Sequence, residues 1–237
     1  MRQWNPVALT PMHSRHLELG ATIAIRNGWM RVAHYTTVEE EMSILQDTAG
    51  MADVSHRGKV RVHGTSVDTW LKEVNIPKLP IGHVARIPIK AGDSLIVVSI
   101  SRLTNDEVAI TTGAHQAPQL IQTIEDEAGQ CLHAIDVSSA FACIRTVGPL
   151  GQRGLNTITE IDLTPDVFKN MSCLQGSFAG VYGMLIREDF GNIASYDLYY
   201  PRELGEYVWD TLLRESAVFG TRPVGFECLL KIGSGSG

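Results

Sequence analysis

The chain has 237 residues, 44% hydrophobic and 19% charged, with a formal net charge of -6. That length and composition fit one large or two modest folded domains and exclude a disordered chain. The acidic balance argues against a nucleic-acid surface spread along the chain. The longest apolar run, Leu95 to Ile100, falls well short of the roughly 18–20 residues of a membrane span. The opening Met1-Arg2-Gln3-Trp4-Asn5-Pro6 lacks the apolar segment of a signal peptide. Cys131, Cys143, Cys173 and Cys228 are widely spaced, with no CxxC and no Cys/His cluster at zinc spacing. The expectation is therefore no metal site, buried reduced thiols and a cytoplasmic protein.

In chain order, Thr10-Pro11 predicts a helix start with a threonine cap, followed by Leu17, Leu19 and Ile23 and broken at Gly28-Trp29. Thr37 opens a second helix with Glu39, Glu40 and Glu41 in its first turn and Val38, Met42 and Leu45 at helical spacing, ended by Gly50. Lys59 to His63 alternates as a strand, with Val60 and Val62 on one face and Lys59, Arg61 and His63 on the other. A helix is predicted from Ser66 to Val74. A hairpin follows, Val84 to Ile89 and Leu95 to Ile100, turning at Ala91-Gly92-Asp93. Glu107 to Thr112 reads as a strand and Pro118 to Glu127 as a helix. Further strands are expected at Leu132 to Asp136, Ala140 to Val147, Phe178 to Arg187 and Tyr196 to Tyr200. Helices are expected at Leu150 to Thr157 and, as the final element, from Pro201. Strands and helices mix without strict alternation, which points to α+β. Gly233-Ser234-Gly235-Ser236-Gly237 reads as a flexible linker of the kind left by expression vectors.

Few residues advertise chemistry on their own. His56 lies three residues after Asp53; a structural hydrogen bond is the ordinary reading and a catalytic pair the sharper one. Trp29 and Tyr35 read first as packing residues. Asp136, Ser138 and Ser139 read as a turn, with no Gly-x-Ser-x-Gly context. Gly148-Pro149-Leu150-Gly151 lacks the Gly-Lys-Ser/Thr of a phosphate loop.

An ordered set of segments carries more. Thr10-Pro11-Met12-His13, Gly28-Trp29, Gly50-Met51-Ala52-Asp53-Val54-Ser55-His56, Asp93-Ser94-Leu95-Ile96-Val97, Val147-Gly148-Pro149, Phe190 to Pro201 and Arg222-Pro223-Val224-Gly225 follow one another along almost the whole chain. Together they resemble the glycine cleavage T-protein (aminomethyltransferase) family. The resemblance implies an α+β, T-protein-like folate-binding fold of two intertwined domains, one ferredoxin-like, without the family's C-terminal β-rich domain. The outer domain would comprise residues 1–52 plus 132–232, the inserted ferredoxin-like domain 53–131, and the flexible tail 233–237.

The resemblance also implies one-carbon transfer to or from tetrahydrofolate, with a key carboxylate in the Asp93 to Val97 segment and a glutamate gripping the pterin. Here Ser94 stands at the key carboxylate, with Asp93 its neighbour, and strand alternation points the two to opposite faces. Ile193 stands at the pterin glutamate, while the later acidic position is kept as Asp197. Arg57 replaces a methionine, Leu229 an arginine, Arg86 an aromatic residue and Gly113 an asparagine. The candidate set is thus Asp93 and Ser94 for chemistry, with Arg57, Arg86, Ile96, Gly113 and Asp197 lining a ligand pocket. A pterin donor left unpaired costs roughly 1–3 kcal/mol, so scaffold motifs are kept while site motifs are lost. The leading reading is an altered-site or non-catalytic subunit in a complex, with a protein partner or second copy. Conventional tetrahydrofolate-dependent transfer, with a lipoyl-bearing carrier as possible partner, is the runner-up. A third reading gathers Arg57, Lys59, Arg61 and Arg86 around an anionic ligand; the ordinary alternative is a solvated strand face.

Overall fold

The structure, a computed structural model, describes residues 6–128 and 131–234. Its chain enters through β1 (Ala8–Leu9), α1 (His13–Glu18), β2 (Thr22–Arg26) and β3 (Trp29–His34), and β1-β3-β2 form a small sheet. The single helix expected from Thr10 to Gly28 is therefore a short helix followed by a hairpin. Thr22, Ile23 and Ile25 favour strand, and Asn27-Gly28, at φ 50° and 70°, supply the two left-handed residues of a tight hairpin turn. Met12, not Thr10, occupies the α1 cap.

Helix α2 (Val38–Asp47) starts as expected. The Thr37 hydroxyl accepts from the Glu40 N–H at 3.2 Å, and the Glu40 carboxylate accepts from the Thr37 N–H at 3.3 Å. This reciprocal capping satisfies two otherwise orphaned donors. Thr37→Ala is expected to cost about 1 kcal/mol, read as a lowered urea midpoint at unchanged slope.

A ferredoxin-like unit follows: β5 (Gly58–His63), α3 (Val67–Glu73), β7 (Ser94–Arg102), β8 (Glu107–Thr112), α4 (Ala117–Ala128) and β9 (His133–Asp136), with β6 (Val84–Ala91) added at the edge. The order is β6-β7-β8-β5-β9, every pair antiparallel. Val60, Val62, Ile96, Val98 and Ile100 face α3 and α4 in one core with Trp70, Leu71 and Leu120. β9 lies beyond residue 132 yet pairs with β5, so this sheet runs past the expected domain boundary.

The second sheet is assembled from both ends of the chain in the order β11-β12-β13-β10-β4-β14: β4 (Gly50–Asp53), β10 (Phe141–Val147), β11 (Ser172–Phe178), β12 (Val181–Arg187), β13 (Ser195–Pro201) and β14 (Arg222–Pro223). Alternation divides its residues. Ala142, Ile144, Tyr196, Leu198 and Tyr200 pack under α5 (Gly151–Asn156) and α6 (Gly205–Ser216) with Leu155, Trp209 and Leu212. Cys143, Met184, Ile186 and Tyr199 face the other way, toward Val84, Leu103 and Ala109 of the five-stranded unit. The sequence reading did not expect β4, β14, β11 or α7 (Phe226–Ser234). The expected strand from Phe178 is the hairpin β11–β12, and α6 is not last, because α7 packs on α2 and β3. Gly233 and Ser234, expected to be flexible, end α7; residues 235–237 of that tail lie outside the described residues. Cys143, Cys173 and Cys228 are buried, but Cys131 is exposed, against expectation; all four are free. Among the described residues no helix is long and apolar enough to cross a membrane.

Candidate functional site

The two large sheets meet in a crevice whose polar centre is Asp197. Strand register sets Arg145 of β10 directly opposite Asp197 of β13. Arg145 grips the carboxylate with Nε and Nη2, both at 2.6 Å. Arg57, from the turn between β4 and β5, donates to the same carboxylate at 2.8 Å and to Thr111 Oγ1 of β8 at 3.3 Å, joining one sheet to the other. The Tyr199 hydroxyl adds a longer contact at 3.4 Å. Burial works against the Asp197 charge, but Arg145, Arg57 and Tyr199 outweigh it and hold the pKa below the usual carboxylate range. Burial opposes the charge on Arg145 too, yet Asp197 and its hydrogen bonds raise that pKa.

Of the seven candidate residues, only Arg57 and Asp197 come together here. Asp93 lies in the two-residue turn between β6 and β7 and Ser94 beside it, both exposed. Ser94 and Ile96 share the β7 face that carries Val98 and Ile100 into the helix-covered core, and Ile96 is buried there. On the opposite face of β7, the buried Ser99 hydroxyl donates to Glu188 at 2.6 Å. Arg86, opposite Ser99 in register, is largely exposed and pairs with the same Glu188. Gly113 is exposed after β8, where its N–H is held by Gln116 Oε1 at 3.0 Å.

The proposed gathering of basic residues is corrected in the same way. Arg61 pairs with Glu107 at 2.7 Å. Lys59 is buried, with its ammonium donating to the carbonyls of Ser55, Arg57 and Ser138 at 2.8–3.2 Å. Burial pushes its pKa down to about 8. Lys59, Thr111, Gln175, Tyr182, Met184 and Tyr199 line a cavity of about 50 Å³ between the sheets. That volume suits a few water molecules, well under the roughly 300 Å³ of small-ligand sites.

The Asp53/His56 pair does not form. Asp53 Oδ2 meets His16 Nε2 at 3.0 Å, and His16 Nδ1 meets the Tyr35 hydroxyl at 2.8 Å, with Trp209 edge-on to the imidazole. Burial presses the Asp53 carboxyl toward neutrality, but His16, Thr10 and the Ser55 N–H hold its pKa low. This buried chain ties α1, β3 and β4 together. The Nδ1 of His56 is buried without a hydrogen-bond partner among the described residues. Sequence reading missed Arg145; its signal was a lone arginine inside the apolar run of β10, a charge that burial permits only with a partner. No group of three or more metal-ligating side chains occurs among the described residues.

A family model described as the GCVT N-terminal domain matches residues 12–234. An aminomethyltransferase of Halothermothrix orenii is 24% identical over 221 residues, covering 91% of this chain and 61% of the relative. The chain thus spans about three fifths of that relative's length. The solved glycine cleavage system aminomethyltransferase T from Bartonella henselae superposes with a TM-score of 0.81 at 17% identity, over 94% of this chain and 60% of that one. A chain of the heterotetrameric sarcosine oxidase from Corynebacterium sp. U-96 superposes with a TM-score of 0.64 at 16% identity, over 90% and 96%. At such identities the structural likeness is one of fold, the T-protein-like fold that the ordered motifs imply. The family match extends over nearly the whole chain, and the chain belongs to the GCVT N-terminal domain family.

Proposed function

We propose that this protein is a T-protein-like component of cytoplasmic one-carbon metabolism that works as an altered-site subunit of a larger assembly. One observation carries the reading: both oxygens of Asp197 are held by Arg145 and Arg57, so the retained acidic position is spent on structure. Ile193 stands where the pterin-gripping glutamate is expected, and Ser94 lies at an exposed hairpin tip. These residues do not fit a pteridine gripped by a free carboxylate. The likeness to a chain of a heterotetrameric oxidase lends support to a partnered role. Family membership alone favours the second reading, a tetrahydrofolate-dependent aminomethyl or methyl transferase or demethylase served by a lipoyl-bearing carrier. The domain division at residues 53 and 132, adjusted for β9, belongs to the same proposal.

Calorimetric titration with tetrahydrofolate under reducing conditions tests it. The expected result is no saturable heat up to millimolar ligand. Micromolar binding that weakens in Asp197→Ala would overturn the altered-site reading and restore the transferase.

A further inference from the structure

A sheet edge presents a row of unpaired amides and carbonyls, and folded chains blunt such edges with proline, charge, cover or shortness. The three sheets have six edges, and among the described residues five are blunted. β1 and β14 are two residues long. β6 carries Pro88 between Arg86 and Lys90, all three exposed. β9 has four residues, among them His133 and Asp136. Residues 82–84 lie against β11: the Cys173 N–H donates to the Gly82 carbonyl at 2.8 Å and the Val84 N–H to that of Met171 at 2.9 Å. The exception is β2, Thr22-Ile23-Ala24-Ile25-Arg26, with no proline, no carboxylate and one charge at its end. Its register shift lies between Thr22 and Ile23, so Ile23 to Arg26 run regularly. Ladder alternation fixes which backbone groups point outward. The two-residue Asn27-Gly28 turn makes Arg26 and Trp29 a hydrogen-bonded pair, and Ala24 and Arg31 the next. Ile23 and Ile25 therefore turn their N–H and C=O groups to the free edge, where no partner is found among the described residues. Their side chains share a face with Met30 and Leu9. Ile25 is 63% exposed and Leu9 45%, so apolar surface accompanies the open edge.

The residue order of β2 fits a copy of itself. Ile23-Ala24-Ile25 reads the same in both directions. An antiparallel copy, related by a two-fold axis through Ala24, sets Ile23 of one chain opposite Ile25 of the other, twice. Both are hydrogen-bonded pairs that exchange their outward N–H···O bonds, and the isoleucines meet on one face. Ala24 meets Ala24 in the closer, non-hydrogen-bonded pair, where about 4.5 Å between Cα atoms suits so small a side chain. The apolar row of Leu9, Met30 and Ile25 then runs on into Ile23 and Val32 of the other chain. We infer that a second copy of this chain docks on β2, giving an isologous dimer in which β1-β3-β2 continues as one sheet across the two-fold axis. Another protein's strand gains nothing from this two-fold match. A five-residue pairing is short, so a weak, concentration-dependent dimer is expected rather than an obligate one. The pairing needs only this chain. Its failure leaves the altered-site reading untouched, which the tetrahydrofolate titration decides separately.

Sedimentation equilibrium of the full chain from about 1 μM to about 1 mM tests the dimer. The average mass is expected to rise with concentration toward that of two chains. Ile25→Lys puts a charge at the seam and should weaken association about tenfold or more. Leu95→Lys, at a 72% exposed position on β7, should leave it unchanged. Both positions are exposed, so both variants are expected to fold. Disulfide trapping locates the contact. In a Cys131→Ser background, which removes the exposed native thiol, Ala24→Cys should cross-link two chains on oxidation, because the facing Cα atoms fall within disulfide range. Ile25→Cys should not, since the two copies of that residue lie on a diagonal of about 7–8 Å. A single-chain mass at every concentration, undiminished association in Ile25→Lys, or stronger cross-linking through residue 25 than through residue 24 overturns the proposal.

Discussion

Asp197→Asn is expected to lower the unfolding free energy by about 3–5 kcal/mol, the usual cost of removing one partner from a buried ion pair. The Asp197 side chain is 7% exposed, and two guanidinium groups converge on it. Asparagine keeps the shape but removes the charge, and it turns an amide donor toward groups that only donate. Arg57 and Arg145 then face each other with no anion between them. Replacing all three residues by leucine is expected to recover much of the loss, because the stranded charges go as well. Urea unfolding at pH 7 reads the effect as a shifted midpoint. A loss under about 1 kcal/mol would mean that water screens the cluster, and the buried-ion-pair argument would fail.

The same carboxylate shapes the acid limb of stability. Its pKa is lower folded than unfolded, so the unfolded chain binds the proton first as pH falls. The contribution is complete above the unfolded value of about 3.9 and disappears as pH drops through the folded value. Asp197→Asn should flatten that limb relative to the native chain.

Legibility from sequence followed the range of the interaction. The alternation of Val60 and Val62 and the helix start at Thr37 are local patterns, and both appear in the structure as read. The Thr22 to His34 hairpin was misread because Leu17, Leu19 and Ile23 happen to match helical spacing, while the Asn27-Gly28 turn outweighs that match. The site was harder still. Asp197 could be singled out by resemblance, but its partner Arg145 is 52 residues away and Arg57 is 140 away. Nothing local says that a strand register will place Arg145 opposite Asp197. Ser94 shows the converse: a motif position can be found in sequence while its face and exposure are decided by the hairpin around it.

Gly225→Ala is expected to cost about 3 kcal/mol or more, and its effect should be felt in α7. A Cβ at Gly225 would stand 1.9 Å from the Ala33 carbonyl oxygen and 2.6 Å from the His34 nitrogen, both backbone atoms of β3. β3 cannot retreat easily, because it is paired on one side with β1 and on the other with β2. The glycine segment is pinned as well. The Val224 N–H donates to the Met51 carbonyl at 2.9 Å, and the Gly225 N–H to the buried Glu41 carboxylate at 2.9 Å. That carboxylate also accepts from the Tyr35 N–H at 2.6 Å. A methyl group therefore forces α7 away from β3 and strands donors on Glu41. α7 carries Phe226, the ring beneath Arg31, so that cation–π contact should be lost with the helix's seat on β3. The five-stranded sheet does not share this contact, and amide exchange in β5, β7 and β8 should stay near native while β3 and α7 lose protection. Native-like protection in α7 would sink the argument, because the backbone would then have absorbed the methyl group without moving the helix.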